Sequence, residues 1–567
     1  MNYKIEQGSA DNGEQVFVYR DEQKNIPLNS LYSPEKEAQK FVKQHHVKNK
    51  VFVLIGMGNG AIVKEWLKQD DLLYLYVVEP YTEIPLVEEL TPHLSDTTRM
   101  SFEYFKEGLE GSSLQYRAVM EKYSGVDVEF HFHPHYVKTD SVYLKDVITK
   151  LRNGTELIQL NVNTQRKFRK DWVFEPLFNL EYTMEMLQIT HLKGAFKGER
   201  AVLAAAGPSL KHNIELVKQL QQSSYIFAAG SAINGLLNNG ITPDFVCTYD
   251  SGLVNYETHF KDVQYSGPLI IESVINHHIL AHHDGPVVLI GAEIDWISRY
   301  YLPELLLFKP VPSVANMTLQ VLQYLGFSEI YLIGQDLALV DGKYYSDGVH
   351  NHAESVHVEA TLEVENNMGG KVPTNHQLYA FLETFVSMIR LIEPYQVKVF
   401  NLSKHGAKIA GAPYVELSPE DLAHKRKEIE LKIPHKHSTE TGRDSIQSFM
   451  GDLEELHEEL QKARKKVSYF KEDVASEEDL KKMLKHLKNV RKLPLYENVI
   501  LQQFSFRVLR LSNIFQYGFD KEEYSNQDRV RMIQEIKALI MDSANFVEEL
   551  LKDQRYEELK EKYYVNK

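Results

Sequence analysis

Three groups of residues in this 567-residue chain carry chemical potential by their type and spacing. The first is Gly56-x-Gly58-x-Gly60, set between the apolar run Val51-Phe52-Val53-Leu54-Ile55 and a helical stretch from Ala61 to Lys68. Glycines at such a corner let a ligand approach the backbone, and the N-terminus of the next helix attracts an anion. Glu79 ends the following apolar run, Leu73 to Val78, where a carboxylate would hold a ribose. The arrangement fits S-adenosylmethionine or a dinucleotide. The same glycines equally serve a tight turn that carries no ligand.

The second group is Gly207-Pro208-Ser209-Leu210, after the strand-like run Ala201 to Ala206. Proline suits the first helical turn, where its missing N–H is not needed. Ser209 offers a hydroxyl, and the backbone N–H groups of such a turn can bind a phosphate. An ordinary strand–helix corner is the alternative.

The third group is dispersed. Gly230-Ser231 with Asn234, Asp250-Ser251, Ser313 with Asn316, and Asp336 all fall at carboxyl ends of apolar runs or at the helix starts that follow. Ligands of open α/β sheets bind along that edge, so these residues are candidates to line a nucleotide cleft. Asp250 and Asp336 are also the residue type that caps helices and turns. In the polar stretch Asp341 to His352, the pair His350-x-His352 reads either as metal ligands or as a solvated loop. His376, after Thr374-Asn375, opens a helix as a site residue or as a cap. No Asp-x-Asp, Walker A, kinase or Gly-x-Ser-x-Gly pattern occurs in the sequence.

The elements that must position these residues fall into three compositional regions, in line with a length that predicts roughly three or four domains. Residues 1–195 hold a βαβ start and a helical lead-in from Asp140 to Leu192. Residues 196–435 alternate strand and helix, with strands at 225–229, 245–249, 268–272, 286–290, 329–333 and 397–401. That alternation predicts a parallel sheet covered by helices. Residues 436–567 nearly lose Gly and Pro. Leu453, Leu456, Leu460, Ala463, Val467 and Phe470 step at helical spacing there, and similar seams follow around Leu480, Phe504 and Ile533, a helical bundle.

Composition narrows the function classes. The net charge of −15 disfavours a sequence-independent nucleic-acid binder. A single cysteine, Cys247, excludes an internal disulfide and any cysteine-based metal cluster. No apolar run approaches the ~20 residues that span a bilayer. No signal-like pattern opens the chain. A cytosolic protein is the expectation.

The motifs around Gly207-Pro208-Ser209-Leu210, Gly230-Ser231, Pro243-Asp244 leading to Asp250, and Ser313 through Gly334-x-Asp336 resemble the motility accessory factor family of bacterial flagellin glycosyltransferases. The lead-in with Asn161, Arg166, Trp172 and Asn179 is similar to that family too. The central region also resembles bacterial sialyltransferases and, more distantly, an archaeal hydroxymethylpterin pyrophosphokinase.

The resemblance implies a Rossmann-like N-terminal domain, a central sialyltransferase-like α/β domain with a parallel sheet, and a C-terminal helical domain that engages flagellin. It implies cytoplasmic transfer of a nonulosonic acid of the pseudaminic or legionaminic type from its CMP ester to Ser or Thr of flagellin. The CMP-sugar is the donor substrate; the resemblance implies no certain cofactor and no assigned metal. It puts Gly207, Pro208, Ser209, Gly230, Ser231, Asn234, Ser313 and Asn316 at the nucleotide sugar. It makes Tyr344 one of two tyrosines that stabilise the leaving phosphate; Ala338 stands where the other would be, with Tyr345 as the substitute. Asp250, Asp336, His350 and His376 are the candidates for proton transfer. A pyrophosphokinase and a non-catalytic flagellin-binding chaperone are the competing readings.

Overall fold

The computed structural model describes residues 3–48, 50–69, 71–91, 99–105, 114–123, 126–340, 342–346, 359–470, 475–516 and 526–564. His350 lies outside them. The chain forms two compact units. The first comprises 1–166, 460–491 and 504–544; the second comprises 167–459, 492–503 and 545–567. Compactness therefore groups the chain differently from composition, because the C-terminal helices divide between both units.

The first unit holds strands β1 (Lys4–Ser9), β2 (Gln15–Arg20) and β3 (Asn25–Pro27) in an antiparallel sheet. Strands β4 (Val51–Ile55), β5 (Tyr74–Glu79), β6 (Met100–Tyr104) and β7 (Val128–Phe132) form a parallel sheet ordered β6-β5-β4-β7. Every residue of β4 and β5 is buried, as expected for strands covered on both faces. The expected βαβ start is thus present. The β1–β3 sheet, β6 and β7 are additions that the sequence pattern did not announce.

The second unit is built on strands β8 (Arg200–Ala204), β9 (Tyr225–Ala229), β10 (Phe245–Thr248), β11 (Leu269–Glu272), β12 (Val287–Ala292), β13 (Leu307–Phe308) and β14 (Glu329–Ile333). A β15–β16 hairpin (Leu362–Glu365, Lys371–Thr374) and strand β17 (Lys398–Asn401) follow. The main sheet is parallel throughout and eight-stranded, ordered β13-β12-β11-β10-β9-β8-β14-β17. Side chains of these strands alternate between two core layers. One layer gathers Leu203, Phe227, Cys247, Ile270 and Ile290 with helix Val314–Leu325; the other gathers Val202, Ile226, Val246, Ile271 and Leu289. Ser313 caps that helix by accepting the Asn316 N–H, and Gly326 ends it in the left-handed conformation. Cys247 is fully buried, and burial pushes its thiol up to about 12.

The C-terminal helical seams are present in helices Glu440–Val467, Glu477–Val490, Ser505–Gln516 and Asn526–Leu551, although Phe470 lies past the end of the first. Among the described residues no helix is long and apolar enough to cross a membrane.

Candidate functional site

The chain runs from β8 through β9 to β13 on one side, then returns to place β14 on β8's other flank. Loops leaving β8 and β14 therefore diverge at the carboxyl edge, the place where such sheets open a crevice. Here the two loops are sewn together at their base. Ala205 N–H donates to the Ile333 carbonyl at 2.8 Å and Gly207 N–H to the Gly334 carbonyl at 2.9 Å. Ser209 N–H donates to the Asp336 carboxylate at 2.8 Å. The Ser209 hydroxyl donates to the Ser403 hydroxyl, at the end of β17, at 2.9 Å. A Cβ at Gly207 would run into the Gly334 carbonyl and the Asp336 carboxylate, so only glycine fits. Pro208 is buried at the first position of the short helical turn.

Ser209 is buried, and in this structure both its N–H and its hydroxyl are bonded within the protein. Asp336 is the internal acceptor that takes the anion's place. It is only 2% exposed, and burial pushes its carboxyl up against the bonds from Ser209 and the nearby His212 and His405. Its Oδ1 has no partner among the described residues.

Open groups lie further along the edge. Ser346 N–H donates to the Ala206 carbonyl at 2.8 Å and thereby sets Tyr344 and Tyr345 beside the end of β8. Their rings are 4.6 Å apart, and burial raises both phenols. The Tyr344 hydroxyl makes no hydrogen bond among the described residues. The charge of Asp250 adds to the upward pull on Tyr345. Asp250 accepts the Gly252 N–H at 2.8 Å, and its carbonyl accepts the Asn276 N–H at 3.2 Å. Solvent reaches its side chain, yet the surrounding protein pushes its carboxyl up, the signature of a group in a depression.

Gly230 packs against the start of helix Val314–Leu325; a Cβ there would lie 3.6 Å from Val314. Gly230 therefore lies close to the helix that Ser313 caps. The partly exposed Ser231 hydroxyl makes no hydrogen bond among the described residues. Asn316 is fully buried; it accepts the Ser313 hydroxyl at 2.6 Å, so it serves the cap rather than a ligand. Asn234 is buried too and reaches the Thr258 carbonyl at 3.4 Å. His376 is half-buried at the start of helix His376–Ile392, which Asn375 caps.

The glycine loop of the first unit is closed from within. The Gly56 N–H donates to the Val78 carbonyl and the Met57 N–H to Glu79, at 2.8 and 2.7 Å. Gly58 N–H donates to the Tyr136 hydroxyl at 3.0 Å, and Asn59 N–H to Asn29 Oδ1 at 3.0 Å. Gly60 N–H donates to the Met57 carbonyl at 3.0 Å and Ala61 N–H to Asn59 Oδ1 at 3.2 Å. Glu79 is fully buried and also accepts from Tyr136 and from Tyr81 N–H, at 2.8 and 2.9 Å. Burial pushes its carboxyl up to about 7 against those bonds. In this structure Glu79 serves as an internal acceptor for the loop, in keeping with the turn reading.

Ser403, Tyr249 and Glu272 escaped the sequence reading. Their roles come from partners distant in sequence; only the strand-end positions of Tyr249 and Glu272 signalled them. Among the described residues no group of three or more His, Cys, Asp or Glu is placed to hold a metal ion.

The family model described as 6-hydroxymethylpterin diphosphokinase MptE-like matches residues 177–342. An uncharacterized protein of Treponema pallidum (strain Nichols) is 26% identical over 141 residues, 24% of this chain. The match spans 66% of that relative, just under two thirds of its length. The solved structure of MAf glycosyltransferase from Magnetospirillum magneticum AMB-1 superposes over 98% of this chain and 94% of its own, with TM-score 0.56 and 16% identity. The resemblance to motility accessory factor proteins thus extends from local motifs to the fold of nearly the entire chain.

Proposed function

We propose that this chain is a cytoplasmic glycosyltransferase that moves a nonulosonic acid from its CMP ester to Ser or Thr of flagellin. The observation that carries this reading is the end-to-end likeness of fold to a MAf glycosyltransferase. Breaking the CMP–ketose bond develops negative charge on the departing phosphate, and donors aimed there lower the barrier. Tyr344 and Ser231 supply open hydroxyls, beside Gly230 and the start of the helix capped by Ser313. The acceptor hydroxyl loses its proton to a base, for which Asp250 on this edge, His376 and His350 are the candidates. The nucleotide then rests against Gly230, Ser231 and Ser313 instead of the closed Ser209 turn.

Incubating the protein with flagellin and CMP-activated nonulosonic acids tests this. The expected result is a mass gain on flagellin with release of CMP; no gain with any such donor overturns it. The MptE-like match favours a second reading, pyrophosphate transfer from ATP to a hydroxymethylpterin. AMP release from ATP in the presence of the pterin, with no CMP release, would establish that reading instead.

A further inference from the structure

Glu272 is the last residue of β11, at the carboxyl edge and one strand beyond β10. The parallel register pairs Thr248 with Ile271, so Tyr249 and Glu272 are next to one another. Side-chain alternation along β11 puts Ile270 in the layer of helix Val314–Leu325, and Glu272 emerges on the same face. The side chain is 6% exposed and makes no hydrogen bond or ion pair among the described residues. A buried carboxyl in that condition is rare, since burial without partners costs more than most polar groups repay.

The surroundings disfavour its charged form. Asp295 stands nearby, its carboxylate held by the Ser273 hydroxyl and by the Ser298 N–H, the latter at 2.9 Å. Burial first, and then the Asp295 charge, push Glu272 up to about 8. The other titratable groups facing it are Tyr249, whose hydroxyl donates to the Val311 carbonyl at 2.9 Å, and Asp250 beyond it. Helix Val314–Leu325 and strand β12 bring no charged side chain. The loop after β11 is fixed by Asn179, whose amide donates to the carbonyls of Ser273 and Ile275 at 2.8 and 2.9 Å.

We propose that Glu272 is a specificity-determining residue that hydrogen-bonds an uncharged hydroxyl or N-acyl group of the donor sugar. This rests on the glycosyltransferase reading above. From Gly230 on β9 to Glu272 on β11 is two strand spacings, about 10 Å, the span from a nucleotide's phosphate across a nine-carbon sugar. Next to Asp295, an anionic part of the donor is disfavoured. A neutral carboxyl offers one donor and one acceptor, the pairing a hydroxyl or amide needs.

Calorimetric binding of a CMP-nonulosonate without acceptor tests the proposal at pH 7 and pH 9. The wild-type protein should bind roughly tenfold more weakly at pH 9, where the carboxyl has ionised. Glu272→Gln, which keeps a donor and an acceptor, should lose that pH dependence, and Glu272→Ala should bind at least tenfold more weakly at both pH values. Equal affinity of Glu272→Ala and wild type, or the same pH dependence in wild type and Glu272→Gln, overturns it. Circular dichroism of each variant verifies folding. If wild type binds no CMP-sugar, the functional reading fails with it, and a separate readout still tests the neutral acid. Unfolding stability of wild type should decline more steeply than that of Glu272→Gln as pH rises from the ordinary carboxyl range through about 8. Identical stability profiles overturn the neutral state.

Discussion

The Ser209 N–H and the Asp336 carboxylate lie 2.8 Å apart although 127 positions separate them in the chain. The bond closes the turn after β8 onto the loop after β14, so the corner that reads as a phosphate cradle already holds an anionic oxygen. A phosphate entering that corner would have to displace this carboxylate, which is why the proposed nucleotide site is shifted toward Gly230 and Ser231.

Replacing Asp336 by Ala strands the Ser209 N–H in the interior. A hydrogen bond to a carboxylate contributes about 1.5–3 kcal/mol. The expected outcome is a lower urea midpoint at unchanged slope. A midpoint equal to wild type would show that the clamp contributes nothing.

Tyr344→Phe removes a hydroxyl that no described group uses, so stability should stay within about 0.5 kcal/mol. If the hydroxyl supports the departing phosphate, kcat for transfer should fall by about a hundredfold or more. Undiminished kcat would remove Tyr344 from the reaction.

His133 is fully buried, 3.1 Å from the Asn29 amide, and burial pushes its imidazole down to about 3. Its folded pKa lies below the unfolded value, so the stability it contributes is present at neutral pH and declines as pH falls below about 6.5. The loss approaches about 1.4 kcal/mol for each unit of pH down to the folded value. Glu79, raised to about 7, acts in the opposite sense between the ordinary carboxyl range and neutrality. The test is therefore the difference between wild type and His133→Asn across pH 4–7 in thermal unfolding. Parallel curves for the two proteins would contradict the prediction.

Tyr563 and Lys562 both donate to Glu181 at 2.8 Å, and Arg555 pairs with Asp171 at 2.7 Å. The last helix, Gln554–Tyr563, is therefore part of the second unit's interior bonding, not a detachable arm. Deleting residues 552–567 should lower the melting temperature by several degrees in scanning calorimetry. A melting temperature within a degree of wild type would refute this. Losing flagellin capture on such a deletion would not by itself assign a binding face.

All N–H groups from Gly56 to Ala61 are bound internally, so S-adenosylmethionine and NAD should give no binding heat with the intact protein. Micromolar binding of either would reopen the glycine loop as a ligand site.

The parallel strands were legible because runs such as Val51–Ile55 and Tyr225–Ala229 are apolar at every position, as double-sided burial demands. Their edges were legible too, since Gly230, Asp250 and Asp336 follow those runs directly. The β1–β2 pair was not, because β1 alternates weakly and carries charged residues on a half-exposed sheet. The fate of each edge residue was also hidden. Whether Ser209 faces a ligand or Asp336 depends on β14 lying against β8, a non-local pairing that local spacing does not encode. Glu272 looked like an ordinary strand-end glutamate until the sheet order put it beside Asp295 and Tyr249.

Cys247 sits in the middle of the larger sheet with its sulfur sealed from water and its thiolate form suppressed. Maleimides and thiosulfonate spin labels are attacked by thiolate, so they should leave it untouched in the native protein. Two cysteines introduced at chosen surface points would then report alone, with no background thiol to delete first. Fluorescence or spin-label distances between the two compact units thereby become measurable in the otherwise unaltered chain, with and without nucleotide sugar.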